Sequence, residues 1–156
     1  MPPAPTPEPA PEPPEPELLY DVPLDDELQR YIREECEVQG VPFEIALALI
    51  ARESTFRTGV VSETNDYGLM QINACNHEWL AEELGITDIM DPEQNVRAGL
   101  YILGGHFEKY KDPHLALMAY NMGERGAKEA WDEGSYSTNY SRGIVQAAGE
   151  LIRKEA

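Results

Sequence analysis

Apolar residues recur every three to four positions along most of the chain, and this spacing predicts helices rather than strands. The first helical stripe consists of Leu28, Tyr31, Ile32 and Cys36. It is followed by Gly40, a residue type that often ends a helix because it adopts the left-handed conformation without strain. A second, strongly apolar helix is predicted directly after Pro42, in the segment FEIALALIARESTF, which we call the central helix.

Capping residues indicate where the later helices begin and end. Asp91 followed by Pro92, and Asp112 followed by Pro113, each combine an N-cap residue with a proline that suits the first helical position. Gly85 closes a short helix predicted in NHEWLAEELG. A last amphipathic helix is indicated by Ile144, Val145, Ala148, Leu151 and Ile152. The helix after Asp91 contains glycines that would let another helix approach closely, and we expect the central helix to be that partner.

The helical period breaks in residues 57–73, RTGVVSETNDYGLMQIN, where short apolar pieces alternate with turn-forming residues. The turn formers are Gly59, Asn65, Asp66 and Gly68. This composition predicts a small β-hairpin or an ordered loop. The predicted fold class is therefore mainly α, a compact bundle of about six or seven helices with one small β-hairpin or loop excursion.

Residues 1–23, MPPAPTPEPAPEPPEPELLYDVP, differ in composition from the rest of the chain. They hold 10 of the 13 prolines and five acidic residues, without a basic residue. Such a segment has few apolar side chains to bury and few backbone amides to pair, so we expect a disordered linker. Residues 24–156 would then form the folded domain. The linker acts either as a semi-rigid spacer or as a low-complexity leader that only aids solubility.

The charge of the chain restricts its partners. The 156 residues include 29 acidic and 12 basic ones, for a net charge of -17. Nucleic acid is excluded as a partner because its phosphates would be repelled. A run of about 18 apolar residues is missing from the sequence, so we predict no membrane span and no signal peptide within it. A segment upstream could still supply export or an anchor, and we expect a monomer.

The cysteines and histidines do not predict a cofactor site. Cys36 and Cys75 could form one disulfide bond in an exported protein or remain buried thiols, and their spacing leaves both states open. His77, His106 and His114 share no metal-ligand spacing with the cysteines. We therefore predict no metal ion and no cofactor.

One acidic residue occupies an apolar face of the central helix. Glu53 continues the stripe formed by Ile45, Ala46, Leu49 and Ile50. A carboxylate among such neighbours is poorly solvated, so its pKa should rise and it could donate a proton near neutral pH. The alternative is that the helix ends near this residue and Glu53 faces water or pairs with Arg57 at i+4.

Four motifs resemble, in their order and spacing, those of soluble lytic transglycosylase domains, which are relatives of goose-type lysozymes. They are ARES with Glu53 and Ser54, YGLMQIN at 67–73, MAYNMG at 118–123, and Tyr140 in TNYSRGI. The resemblance covers residues 24–156. It implies a lysozyme-like fold and an exported, cell-wall-associated or extracellular enzyme. Its substrate would be the peptidoglycan glycan strand, cleaved at the β-1,4 bond between N-acetylmuramic acid and N-acetylglucosamine.

The resemblance also implies a mechanism with a single carboxylate. Glu53 would protonate the glycosidic oxygen and then, as carboxylate, take a proton from the muramoyl 6-hydroxyl, which closes a 1,6-anhydro ring. Retaining and inverting glycosidases require a second carboxylate as nucleophile or base. This family needs none, because the substrate supplies its own nucleophile.

The resemblance implies roles for eight further residues. Ser54 would lie beside the acid and bind the substrate or the site wall, and Tyr140 would donate a hydrogen bond to Glu53. The floor of the glycan groove would be formed by Gly68, Leu69, Met70 and Gln71. Tyr120 and Asn121 would orient Glu53 and the N-acetyl group of the sugar. Without the resemblance, we would interpret Leu69, Met70 and Tyr120 as core residues at helical spacing.

Several alternatives stay open at this level. Glu63 and Asp66 either reach the cleft and activate water, as in a hydrolytic lysozyme, or are turn residues that face solvent. The domain could also bind peptidoglycan or scaffold other proteins without catalysis. Trp79 and Trp131 could stack on sugars if exposed, but their apolar neighbours favour the core.

Overall fold

A computed structural model describes residues 1–13 and 17–155 of the chain. Six α-helices and one two-stranded antiparallel sheet form the domain in these ranges. The elements are α1 (Asp26–Gln39), α2 (Phe43–Ser54), β1 (Asp66–Tyr67), β2 (Ile72–Asn73), α3 (His77–Leu84), α4 (Pro92–Tyr110), α5 (Pro113–Asp132) and α6 (Asn139–Gly149), with a short 3-10 turn at Ala74–Asn76. The mainly α fold with a small hairpin is therefore confirmed.

The predicted caps position the helices. The Asp91 side chain accepts a hydrogen bond from the backbone N–H of Gln94, and Gly40 and Gly85 end α1 and α3 in the left-handed conformation. Gln94 lies where a capping box would use it, but its Oε1 instead accepts from the backbone N–H of Thr87 at 2.8 Å. This contact ties the loop before α4 to the helix.

The packing of α4 differs from the expectation. Helix α4 packs chiefly against α1 and α5, whereas α2 packs chiefly against α6 and α1, so the prediction that α4 is the main partner of the central helix is wrong. The glycines of α4 explain the difference. A Cβ at Gly104 would lie 2.5 Å from the backbone oxygen of Gln39, and a Cβ at Gly99 would lie 2.3 Å from the Met70 sulfur. These glycines accommodate α1 and the hairpin loop instead.

Helix α2 lies at the centre of the hydrophobic core. Its residues Ala46, Leu47, Leu49 and Ile50 have no exposed surface. Burying side chains of this size is the main favourable term in folding, at about 1.5 to 3 kcal/mol each. The four residues fix α2 and, with it, the position of Glu53 at its C-terminal end.

The folded domain begins before the predicted boundary at residue 24. Residues 1–13 are exposed and have no regular secondary structure, and residues 14–16 of the predicted linker lie outside the described residues. Leu19 is buried, and Tyr20 exchanges two hydrogen bonds with the buried side chain of Gln29. The apolar run LLY therefore joins the domain, in spite of the prolines that precede it.

The two ends of the domain pair with each other. Residues 19–21 and 152–154 form one antiparallel bridge, between Tyr20 and Arg153, with flanking backbone hydrogen bonds of 2.8 Å. We call these six residues the terminal clasp. Ile152 belongs to the clasp and Leu151 precedes it, so the last helix ends at Gly149, short of the predicted stripe.

Two deletions should distinguish the contribution of residues 2–13 to stability from that of the terminal clasp. Removing residues 2–13 should leave the melting temperature unchanged, because these residues are exposed. Removing residues 2–20 should lower the free energy of unfolding by about 2 to 4 kcal/mol, since it deletes buried Leu19 and leaves Gln29 without its partner. Thermal unfolding followed by circular dichroism measures both. Equal melting temperatures for the two deletions would show that the clasp contributes nothing to stability.

The two cysteines are free thiols in different environments. Cys36 is buried in the core, where burial raises the pKa of its thiol to about 12, and Cys75 is exposed. The structure therefore contains no disulfide bond between Cys36 and Cys75. Of the two thiols, Cys36 is buried, as one alternative from the sequence had it, and Cys75 is not.

Within the described part of the chain, none of the helices is both long and apolar enough to span a bilayer.

Candidate active site

A cavity of about 340 Å³ opens where the C-terminal end of α2 meets the hairpin and helices α4 and α5. Residues from each of these elements and from the 3-10 turn line it: Glu53, Asp66, Gln71, Ile72, Asn73, Cys75, Asn76, Ile102, Tyr120, Asn121 and Gly123. Most of these side chains carry hydrogen-bonding groups, and Ile72 and Ile102 add apolar surface, so the cavity can bind a polar ligand.

Glu53 lies in the last turn of α2, and its carboxyl group faces this cavity. Burial raises the pKa of Glu53 above its usual value, and the charge of Asp66 adds to the increase. The Tyr140 hydroxyl donates a hydrogen bond of 2.6 Å to Glu53 Oε1, which favours the carboxylate and opposes part of the effect. Arg57, the alternative ion-pair partner, uses its Nε to donate to the backbone oxygen of Ser54.

Tyr140 is held in place by the start of α6. Thr138 and Ser141 form a reciprocal capping box around it, which fixes the first turn of the helix. The Arg52 guanidinium lies 5.6 Å from the centre of the Tyr140 ring. Burial and the charge of Glu53 keep the pKa of Tyr140 far above its usual value, so its hydroxyl remains a proton donor. The hydrogen bond predicted through the resemblance is present.

Asn95 on α4 holds the hairpin loop and was not singled out from the sequence. Its Oδ1 accepts from the Met70 backbone N–H at 2.9 Å, and its Nδ2 donates to the backbone oxygens of Tyr67 and Ile89 at 2.8 Å each. Asn95 also lies so close to Gly68 that a Cβ there would be 2.3 Å from its Nδ2. The sequence could have indicated Asn95 through its position on the buried face of α4. An amide that is buried among apolar residues requires hydrogen-bond partners.

Gln71 and Tyr120 both line the cavity and both brace the hairpin. Gln71 has a φ of 52°, and its Nε2 donates to the backbone oxygen of Gly68 at 2.9 Å. The Tyr120 hydroxyl donates to the backbone oxygen of Met70 at 2.7 Å. Tyr120 therefore orients the loop, and it lines the same cavity as Glu53, so its role in orienting that acid stays a prediction. Asn121, next to it on α5, is exposed in the cavity wall with its amide available to a ligand.

Besides Tyr140, four predicted site residues lie outside the cavity wall, among the residues that the structure describes. They are Ser54, Gly68, Leu69 and Met70. The Ser54 hydroxyl is fully buried and donates to the backbone oxygen of Ile50 inside α2, so it does not reach a substrate. Leu69 and Met70 are fully buried core residues, as their spacing alone suggested. They support the groove floor from below.

Of the two alternatives for Asp66, the structure favours the one in which its side chain reaches the cleft, because Asp66 lines the cavity. Its carboxylate accepts hydrogen bonds from Ser62, Thr64 and Asn73. These donors lower the pKa of Asp66, although partial burial opposes them, so it is ionised near neutral pH. Glu63 is exposed and lies outside the cavity wall.

Glu53, whose charged form is disfavoured by burial, lies where the helical bundle meets the small hairpin. The fold is similar to that of an inactive mutant of lytic transglycosylase Slt from Pseudomonas aeruginosa, with a TM-score of 0.66 and 19% sequence identity. The similarity covers 77% of this chain and 23% of that protein. The fold is therefore that of the lysozyme-like class.

The particular family follows from the sequence comparisons. Residues 30–144 match the model of the transglycosylase SLT domain, and the chain belongs to this family. It is 33% identical over 106 residues to membrane-bound lytic murein transglycosylase F of Desulfosudis oleivorans, covering 64% of this chain and 22% of the relative. It is 28% identical over 100 residues to the transglycosylase of Enterobacteria phage PRD1, covering 64% of this chain and 36% of the relative.

Proposed function

We propose that this domain is a peptidoglycan lytic transglycosylase that cleaves the β-1,4 bond between N-acetylmuramic acid and N-acetylglucosamine. The observation that carries the proposal is Glu53, a half-buried acid that faces a cavity and receives a hydrogen bond from Tyr140. The names of the relatives support the same substrate, although the chain spans only 22% of the first of them.

Glu53 serves first as an acid and then as a base. Its raised pKa maintains a protonated fraction that donates to the glycosidic oxygen as the bond from C1 to that oxygen breaks. The resulting carboxylate is stabilised by the Tyr140 hydroxyl and accepts the proton of the muramoyl 6-hydroxyl. The oxygen of that hydroxyl then bonds to C1, which closes the 1,6-anhydro ring without consuming water.

The bound substrate favours this intramolecular step. The 6-hydroxyl belongs to the same sugar as C1, so its effective concentration far exceeds that of an unpositioned water molecule. Asn121 and Gln71 offer amide groups in the cavity wall that hold the N-acetyl group and sugar hydroxyls.

Mass spectrometry of the products tests the proposal. Digestion of purified peptidoglycan should release 1,6-anhydromuramoyl fragments, each one water lighter than the hydrolysed species. Products with a reducing-end muramic acid would contradict the transglycosylase mechanism.

A hydrolytic, lysozyme-like reaction is the second candidate, and the position of Asp66 favours it. Asp66 is an ionised carboxylate in the same cavity as Glu53, and a second carboxylate is what hydrolysing glycosidases use as nucleophile or base. If reducing-end products dominate, Asp66→Asn should abolish their formation, and the exposed Glu63→Gln should not. Retention of hydrolysis in both variants would exclude a role for either loop acid.

A third possibility is a binding or scaffold domain without catalysis. A desolvated acid serves no purpose in such a domain, because an amide would bind sugar without the cost of burial. Binding of glycan strands by the wild-type protein without any release of fragments would support this possibility.

The proposed place of action is the cell wall, outside the cytoplasm. Three relatives are named membrane-bound lytic murein transglycosylases, and murein is the peptidoglycan of the cell wall. We propose glycan strands as the partner of a monomeric domain.

The pH dependence of cleavage should report the environment of Glu53. Because Glu53 must be protonated to act as an acid, activity should fall as pH rises through the pKa of Glu53. Burial raises this pKa, so the basic limb of the pH profile should lie above pH 4.5. Tyr140→Phe removes the hydrogen bond that lowers this pKa, so the limb should move to still higher pH and kcat should fall. Initial rates across a pH series measure both effects. The exposed Tyr136→Phe is the matched control, and a limb in Tyr140→Phe that moves down or stays would contradict the assignment.

A further inference from the structure

Trp79 is exposed beside a second cavity, contrary to its interpretation as a core residue. Its side chain on α3 is 38% exposed. The cavity has a volume of about 300 Å³ and is lined by Trp79, Tyr101, Ile102, Gly105, His106 and Glu124. An exposed indole that lines a cavity offers an apolar face on which a ligand can stack. Trp131, the other tryptophan, packs instead against Tyr110 with ring centres 4.8 Å apart.

Contacts at both ends hold the aromatic surface in place. The Trp79 indole N–H donates to Asn76 Oδ1 at 2.8 Å, and the Tyr101 hydroxyl donates to Glu83 at 3.2 Å. The two rings have centres 6.3 Å apart and planes inclined by 48°. A ligand that stacks on this pair meets a fixed surface, so little conformational entropy is lost on binding.

Two residues connect this surface to the active-site cavity. Ile102 lines both cavities. Asn76 lines the active-site cavity, and its side chain accepts the hydrogen bond from Trp79. The two cavities therefore adjoin at Ile102 on α4, and a glycan strand in the first could reach the second by passing over this residue.

The second cavity has a mostly apolar wall, and its two strongly polar side chains, His106 and Glu124, could bond to a ligand that stacks on the rings. Glu124 accepts a hydrogen bond from Lys109 at 3.1 Å, which holds the pKa of its carboxyl group below its usual value. Burial lowers the pKa of His106, which lies 3.6 Å from Glu124, so the imidazole is neutral near pH 7. Both groups can bond to sugar hydroxyls beside the aromatic rings.

We propose that Trp79 and Tyr101 form a distal sugar subsite, which stacks an N-acetylhexosamine ring of the same glycan strand that Glu53 cleaves. This subsite deepens the proposed function and rests on it. The C–H face of a pyranose is apolar, so stacking removes apolar surface of sugar and indole from water and leaves the equatorial hydroxyls free for Glu124. The enzyme should therefore prefer glycan strands that are long enough to reach this subsite.

Tryptophan fluorescence can detect the subsite without any cleavage. The chain has only two tryptophans, and the buried indole N–H of Trp131 has no hydrogen-bond partner within the described residues, so Trp131→Phe removes no such bond. In the double variant Glu53→Gln, Trp131→Phe, Trp79 is the only tryptophan. Titration with N-acetylglucosamine oligomers should change its emission saturably, with tighter apparent binding for longer oligomers. Oligomers that bind by calorimetry and leave the emission unchanged would overturn the proposal.

Kinetics on strands of defined length provide the second arm. Trp79→Ala should lower kcat/KM on long glycan strands about tenfold, the factor expected from one lost aromatic contact, and leave it unchanged on a fragment too short to reach the subsite. Tyr136→Ala removes an aromatic side chain that is more exposed than Trp79 and lines neither cavity, so it should be silent on both substrates. A loss that is equal on short and long substrates, or no loss, would overturn the subsite.

The fluorescence and kinetic experiments also test the subsite independently of the proposed function. A wild-type protein that cleaves no peptidoglycan contradicts the proposed function, and the fluorescence titration still decides whether Trp79 binds sugar. A wild type that cleaves normally, with unaffected Trp79→Ala and silent fluorescence, retains the function and eliminates the subsite.

Discussion

Glu53→Gln is expected to fold as the wild type does and to lose cleavage of peptidoglycan by about a hundredfold to ten-thousandfold, the range for removal of a general acid or base. Glutamine has the same shape as the acid but supplies no proton. The Tyr140 hydroxyl can still donate to its amide oxygen, so the site geometry should persist. Because Glu53 is held in an environment that disfavours its charge, the neutral amide should leave stability equal or raise it.

The measurement compares release of fragments with melting temperature in the same preparations. Glu63→Gln is the matched control, since it makes the same chemical change at an exposed carboxylate outside the cavity. It should retain full activity. More than a few per cent of activity in Glu53→Gln would transfer the catalytic role to another residue, with Asp66 the first candidate in the cavity.

Asn95→Ala should be the most destabilising single change near the site, by about 3 kcal/mol. It removes three hydrogen bonds and leaves the Met70 N–H and the oxygens of Tyr67 and Ile89 without their partner in a largely buried place. The hairpin should loosen, and activity should fall with stability because the hairpin carries Gln71 into the cavity.

Chemical denaturation at equilibrium provides the free energy of unfolding for this variant. Asn139→Ala is a suitable control, because that side chain is exposed and accepts only from its neighbour Arg142 at 2.9 Å. It should cost less than about 0.5 kcal/mol. An Asn95→Ala protein as stable as the control would show that water or a local shift replaces the lost contacts.

Local patterns predicted the helices well, because spacing and capping are properties of neighbouring residues. Asp91, Gly40 and Gly85 have the cap conformations or contacts expected of them. The apolar stripe placed Glu53 in partly buried surroundings before any contact was known. The resemblance added Tyr140, which no local pattern could connect to an acid 87 residues earlier in the chain.

Long-range packing accounts for the predictions that were wrong. Ser54 follows the acid in the sequence, but one step along a helix rotates the side chain by about 100°, and this turns its hydroxyl into the core. Trp79 has apolar neighbours in the sequence, but their partners lie elsewhere in the fold and leave its ring at the surface. The Asp66 carboxylate is held by donors from Ser62 and Asn73, which come together only after the hairpin has formed.

The terminal clasp has a consequence for the order of folding. Asp26 on α1 pairs with Lys154 of the clasp across 128 positions of the sequence, so the contact closes nearly the whole domain into a ring. Closing so long a loop is entropically costly until the helices between have assembled. We therefore expect the clasp to form last and to open first, so that its amide hydrogens exchange with solvent ahead of those in α2. Early opening would expose Leu19 and the end of α6 while the centre of the domain, with Glu53, remains folded.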